Sequence, residues 1–392
     1  MNFCRKVQLL FASLLFVGCS SDYMPEPPAE LVSFDASVDT EIDWNEQVGD
    51  GVRRYYSKLT PAVAYGRYYA ADRESIVTAF DAKTGDEVWK TDILETVKVK
   101  AFKDTDTAKI ASGITVARKK VFVGSESGLL TALDADLGKV LWFTELEGEL
   151  LSPPTVIQNA VVVHSSNGSI FAFNVDDGKQ LWRYESSLPP LTLRGTSAPS
   201  SEFGGVFVGT ADGKIVVLGL DSGQPAWQKN LIKVYHGNEL DRMTDIDAKP
   251  LVVGTKLYSL GFHGYLAALD VRNSNILWKR EYSGFNDLVH DGFYLYFSDD
   301  HDNIIAVDSR NGQEIWRNSQ LRLRKITAPA VANGMVVVGD FEGYVHILDQ
   351  NTGEFLGRIR VDNSSVLSQP VVTDGKFLVQ TQDGEVARIV VK

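Results

Sequence analysis

Seven times along the chain one spacing recurs, an Asp or a stand-in, a Gly four positions on and a Trp eight positions on. The first copy lies in Phe80 to Trp89, FDAKTGDEVW. The others are Asp134/Gly138/Trp142, Asn174/Gly178/Trp182, Gly219/Gly223/Trp227, Asp270/Ser274/Trp278, Asp308/Gly312/Trp316 and Asp349/Gly353/Gly357, the last with Gly where Trp is due. A spacing that never drifts means one small unit used repeatedly, because unrelated elements would not keep a common ruler.

Each unit contains four short apolar segments separated by turn residues. In the second copy these are Gly113 to Val116, Lys120 to Gly124, Leu129 to Leu133 and Lys139 to Phe143, with SESG and DADLG between the later pairs. Runs this short, rich in β-branched and aromatic residues and bounded by Gly and Asp, are strands of antiparallel hairpins. Four strands in about 40 residues are one blade of a propeller. Leu367 to Lys392 supplies only three strands of an eighth unit, and Glu41 to Trp44 (EIDW) resembles a final strand standing before the first complete unit. Pairing these two would leave no open edge. The expected fold is therefore all-β, an eight-bladed β-propeller of four-stranded antiparallel blades over residues 38–392, closed by an N-terminal strand completing the C-terminal blade.

Within that fold the repeated residues read as scaffold. An indole at the same place on every outer strand can pack between neighbouring blades and satisfy its single N–H. The Gly supplies positive φ and the Asp caps its own turn. A binding site needs one special place, so function belongs where the repeat departs from itself.

The N-terminus is different in kind. Arg5 and Lys6 precede an apolar run, Val7 to Val17, too short to span a bilayer and suited to a secretory leader over residues 1–18. It closes on Leu15-Phe16-Val17-Gly18-Cys19, which resembles a bacterial lipobox with Phe16 where Leu is usual, and the resemblance implies acylation of Cys19. Ser20 after that Cys, in lipoproteins of this kind, implies the outer membrane. A polar, Pro-rich stretch follows, and residues 19–37 are expected to be a flexible tether. The two cysteines, Cys4 and Cys19, both lie in this region, so the folded body has neither a disulfide framework nor a cysteine metal site. With 51 acidic and 39 basic residues the chain lacks the charge of a nucleic-acid binder.

Three connections exceed the minimum. The one after Trp89 holds VKVKAFKDTDTAKI, expected to be a solvated loop. The other two follow Trp182 and Trp227 in consecutive blades: Ser187 to Gly195, SLPPLTLRG, and Asn238 to Asp247, NELDRMTDID. Both join an outer strand to the next inner strand, so they emerge as neighbours on one face. Leu191, Leu193 and Arg194 are then expected near Asp245 and Asp247. Arg194 can pair with those carboxylates and order the loops, or the apolar residues beside an Arg can form a protein-binding patch; the two are compatible.

The lipobox, the Trp-ruled units, SLPPLTLRGTSAP and DRMTDIDAKP together resemble the outer-membrane protein assembly factor B family, propeller lipoproteins of the β-barrel assembly machinery. The resemblance covers essentially the whole mature chain. It implies a non-enzymatic scaffold whose partner is the central barrel subunit of that machinery, bound through periplasmic polypeptide-transport-associated domains, with unfolded outer-membrane proteins as clients. It assigns partner contact to Leu191, Leu193, Arg194, Asp245 and Asp247, and implies no cofactor. The repeat also resembles pyrroloquinoline-quinone dehydrogenases, which need a calcium site and a catalytic carboxylate. Here the richest oxygen cluster, Asp299-Asp300-His301-Asp302-Asn303, has the composition of a hairpin turn. The six histidines form no close-set ligand pair, and no Gly-x-Ser-x-Gly elbow or phosphate loop occurs. A periplasmic adaptor for another partner is the remaining alternative.

Overall fold

The structure, a computed structural model, describes residues 26–55, 57–97, 108–232 and 243–392. The leader, Cys19, most of the basic stretch after Trp89 and the first part of the Asn238 loop lie outside the described residues. Eight four-stranded antiparallel sheets form the body. Blades 1 to 7 each use four consecutive strands, within 62–92, 115–145, 155–185, 200–230, 251–280, 289–318 and 330–360. Blade 8 is the hybrid expected from the sequence: strand Thr40–Gln47 pairs antiparallel with Glu385–Val391, from Thr40 opposite Val391 to Gln47 opposite Glu385. Among the described residues the one helix is a single turn, Ile93–Thr96, and none is long and apolar enough to cross a membrane.

The Asp/Gly/Trp ruler is a lock between blades. Each Asp accepts backbone N–H groups of its own turn, as Asp134 does from Asp136 and Leu137 at 2.8 Å each. The Gly then takes positive φ, +70° at Gly138 and +69° at Gly178, where a side chain is strained. Its missing Cβ has a second purpose. A methyl at Gly138 would stand 2.5 Å from the Trp89 ring of the preceding blade, and one at Gly178 would stand 2.6 Å from Trp142. The ring lies flat on the glycine, and its N–H donates to the carbonyl of the residue after the Asp: Trp89 to Ala135 at 3.1 Å, Trp142 to Val175 at 3.1 Å, Trp316 to Gln350 at 2.9 Å. Where Ser274 replaces the Gly, Trp227 is only half-buried, though its N–H still reaches Val271 O at 3.0 Å. Trp44 of the closing strand lies over Gly85 of blade 1 and packs at a tilt of 37° against Tyr68, with centroids 5.2 Å apart.

Gly357 breaks the ruler because blade 8 offers no receptacle. The outer strand of blade 8 is Thr40–Gln47, supplied from the other side of the chain, so no Asp-to-Gly turn joins the third strand, Glu385–Val391, to it. The space is taken by the segment before the closing strand: a Cβ at Gly357 would lie 2.8 Å from Val38 and 3.1 Å from Thr40. Residues 26–37, expected as part of a flexible tether, instead lie along blade 7. Ala29 N–H donates to Arg322 O and Ser37 N–H to Leu356 O, both at 2.9 Å. Phe34 stacks on Phe355 at 5.2 Å, and Leu31 joins the apolar cluster between blades 6 and 7. Aromatic and aliphatic residues in the tether have a groove to fill, which a composition rich in Pro and Ser concealed.

Candidate partner-binding face

Every connection from an outer strand to the next inner strand, and every turn between the second and third strands, opens on the same face, because each is reached after the same number of chain reversals. The two long loops are therefore neighbours with the turn Ser125–Gly128 of blade 2. Leu191 is 42% exposed and Leu188 50%, while Leu193 is half-buried.

The described parts of the loops do meet. Leu193 N–H donates to Asp245 Oδ2 at 3.2 Å. Gly195 packs on Asp247 so closely that a Cβ there would lie 2.3 Å from its Oδ2. Asp245 is itself fixed by a bridge to Phe262, whose N–H donates to Asp245 O at 2.8 Å. Burial pushes both carboxyls up, and their mutual repulsion pushes Asp245 further; Lys58 opposes the rise at Asp247 while Asp287 adds to it. Ionising both would leave like charges in a poorly solvated place.

Arg194 turns the other way from the pairing open in the sequence. Its Nη2 lies 2.7 Å from Glu126 Oε1 and 3.7 Å from Glu149 Oε2. Glu126 also receives Arg73, at 2.5 Å, and Arg73 stacks 3.8 Å over the Tyr55 ring. Burial works to raise the Glu126 carboxyl, but hydrogen bonds from Arg194 and Arg73 outweigh it and hold it below its ordinary range. The chain Arg73–Glu126–Arg194 thus ties loop 187–195 to blades 1 and 2, while Asp245 and Asp247 hold the backbone behind it. Glu126 and Arg73 were not singled out by the sequence. They sit in ordinary turns, and no spacing marks Glu126 as the partner of a residue 68 positions away. Beside the aspartate pair, Phe262 stacks on His263 at 4.1 Å and Phe285 lies 6.5 Å from Phe262, extending the face with half-buried rings.

The other polar places are explained locally. Asp299, Asp300 and His301 bring one ligand atom each within 4.8 Å. Asp299, however, accepts from His301 N–H, Asn303 N–H and the Asn303 amide at 2.7 to 3.0 Å and from Arg317 at 3.2 Å, which is turn chemistry. The central channel holds a cavity of about 780 Å³ lined by Thr155, Ser200, Lys249, Asp287, His290 and Gln369 among others. Its one lining carboxylate among the described residues, Asp287, accepts Lys249 N–H at 2.8 Å. A calcium site needs several oxygen ligands converging on one point, and this lining does not gather them.

Comparison with known proteins agrees with the fold. The family model described as outer membrane protein assembly factor BamB matches residues 73–318 and 301–392. A protein of that name from Shewanella oneidensis is 47% identical over 388 residues, covering 98% of each chain. The crystal structure of BamB from Moraxella catarrhalis superposes with a TM-score of 0.79 at 24% identity, covering 90% of this chain and 99% of that one. A quinohemoprotein alcohol dehydrogenase from Comamonas testosteroni shares the propeller, with a TM-score of 0.68 at 15% identity over 90% of this chain and 76% of its own. The chain belongs to the outer membrane protein assembly factor BamB family.

Proposed function

We propose that the chain is a non-enzymatic scaffold lipoprotein of the outer-membrane β-barrel assembly machinery. It is held at the periplasmic face of the outer membrane by acyl chains on Cys19. Its loop face binds the periplasmic domains of the central barrel subunit and thereby assists insertion of outer-membrane proteins. Leu191 supplies an apolar anchor, with Leu193 behind it and Arg194 a directional charge beside it. Asp245 and Asp247 act from beneath, by holding the Leu193–Gly195 backbone, so their contribution to the partner is through loop shape.

The observation that carries this reading is an exposed Leu191 on a loop whose base is pinned by Leu193 N–H to Asp245 and by Arg194 to Glu126. A loop ordered before binding loses little freedom on association, which favours affinity from a small patch. Gentle solubilisation of the native membrane protein, followed by identification of what copurifies, tests it. Wild type should retain a barrel-assembly subunit, and Leu191→Ala/Arg194→Glu should lose it while staying folded. Wild type lacking that subunit would sink the proposal, and a calcium-dependent quinone absorbance would favour the enzyme instead.

A further inference from the structure

Blade 7 carries a built clamp for residues 26–38. Arg324 Nη1 donates to Ala29 O at 3.0 Å, and Arg358 Nη1 donates to Val32 O at 3.1 Å. Neither arginine is an adaptable surface residue. Arg324 is buried and held by the wholly buried Asp340, through Nε at 2.9 Å and Nη2 at 2.7 Å. The same Asp340 oxygen meets His346 Nε2 at 3.0 Å, and His346 Nδ1 meets Arg358 Nε at 3.1 Å. Arginine cannot accept, so Nδ1 accepts from Arg358 and Nε2–H donates to Asp340; the ring is neutral and relays one fixed arrangement between the two arginines. Arg358 also lies 5.0 Å over the Phe34 ring, Glu26 pairs with Arg322, and Gly357 vacates the space that Val38 and Thr40 fill.

The direction of the clamped segment decides what the clamp does. Glu26 and Ala29 meet Arg322, in the connection from blade 6 to blade 7, which opens on the same face as loop 187–195. From there the segment crosses the ring to the opposite face, where Asp39 and Lys392 exchange backbone hydrogen bonds at 3.2 and 2.9 Å. Strand 40–47 then returns.

We propose that this clamp is an orienting device: it makes the acylated N-terminus leave from the loop-bearing face, so that this face is turned toward the lipid surface. The proposal rests on acylation of Cys19. Seven residue steps separate Cys19 from Glu26, a reach of at most about 25 Å at 3.3–3.6 Å per step. If the segment were free, the chain would leave from Asp39 on the opposite face, with twenty steps and a reach of up to about 70 Å. The clamp thus converts a long leash on the wrong face into a short one on the right face, and places the candidate partner loops between ring and membrane.

The body contains no cysteine, so single labels report cleanly. Ser187→Cys labels the loop face, and Asn159→Cys, in the turn between the first two strands of blade 3, labels the opposite face in the same sector. Each full-length lipidated protein is reconstituted in phosphatidylcholine vesicles carrying a nitroxide headgroup quencher, with acylation checked by mass. Quenching at position 187 should exceed that at position 159 about threefold or more. The ratio should approach one when the leash is lengthened by twenty Gly/Ser residues between Ser21 and Asp22, which leaves the fold untouched. It should also fall in Ala29→Pro/Phe34→Ala, which removes a clamp donor and the stacked ring. Equal or reversed quenching in the acylated wild type overturns this proposal alone. Absence of an acyl mass at Cys19 overturns it together with the lipoprotein reading on which it rests.

Discussion

Replacing Glu126 by Gln tests how the candidate loop is held. The Glu126 side chain is about one-tenth exposed and lies between Arg73, slightly more buried, and Arg194, about half exposed. Losing the carboxylate leaves Arg73 without its counter-charge in a poorly solvated place. Breaking a buried pair from one side costs about 3–5 kcal/mol, and because Gln keeps one acceptor the expected loss is about 3 kcal/mol. Arg194→Gln removes only the half-exposed arm, where pairs contribute about 0.2–1 kcal/mol. Urea unfolding at pH 7 should therefore rank Glu126→Gln well below Arg194→Gln. The acid side gives an independent sign. A carboxyl whose folded pKa is depressed stabilises fully above its unfolded value, near 4.5, and loses that contribution as pH falls through the folded value. The gap between wild type and Glu126→Gln should close on acidification. Equal losses for the two variants, or a gap unaffected by pH, would refute the claim that Glu126 is the anchor.

Three further outcomes are expected. Asp245 and Asp247 have raised folded pKa values, the opposite case, so their contribution is fullest near and below 3.8 and declines as pH rises through the raised range; Asp247→Asn should flatten thermal stability between pH 4 and 8 and stabilise at the upper end. Gly178→Ala puts a methyl 2.6 Å from the Trp142 ring at φ +69°, and should cost about 2–3 kcal/mol with a change in tryptophan fluorescence. Leu191→Ser touches an exposed side chain, so stability should move by less than about 0.5 kcal/mol. Titration with the periplasmic domains of the barrel subunit should nevertheless show about tenfold weaker binding, as for an apolar anchor worth about 1–2 kcal/mol.

The ring was legible because Asp, Gly and Trp are three parts of one lock, and even where Ser274 stands for the Gly the Trp227 N–H still reaches its carbonyl. A capped turn, a bare backbone and a flat ring must coincide, so the spacing carries through seven copies and even its stand-ins keep it. Strand 40–47 was legible for the same reason, since its Trp44 needs Gly85. The adjacency of Leu193 and Asp245 followed from loop class alone. The partner of Arg194 did not, because Glu126 occupies a turn position whose residue differs from blade to blade and is chosen by a contact far along the chain. Gly357 looked like a lost Trp. Its meaning lay in Val38 and Thr40, which no local pattern connects to it.

The hybrid blade also bears on how the molecule reaches its native state. Its two halves are separated by more than three hundred residues, from Thr40–Gln47 to Glu385–Val391. Joining ends that far apart carries a loop-closure entropy of about 5 kcal/mol, scaling as (3/2)RT ln n, before the first hydrogen bond between them forms. Seven blades can stack in sequence by local contacts, each prepaying nothing for the next, but the seam can be made only once the arc between its ends is nearly complete. Zipping of the seam is thus expected to be the late, slow event of folding, and its opening the first step of unfolding. The ring would behave less like a stack of independent repeats than like a clasped band, whose lifetime is set at one point on its circumference.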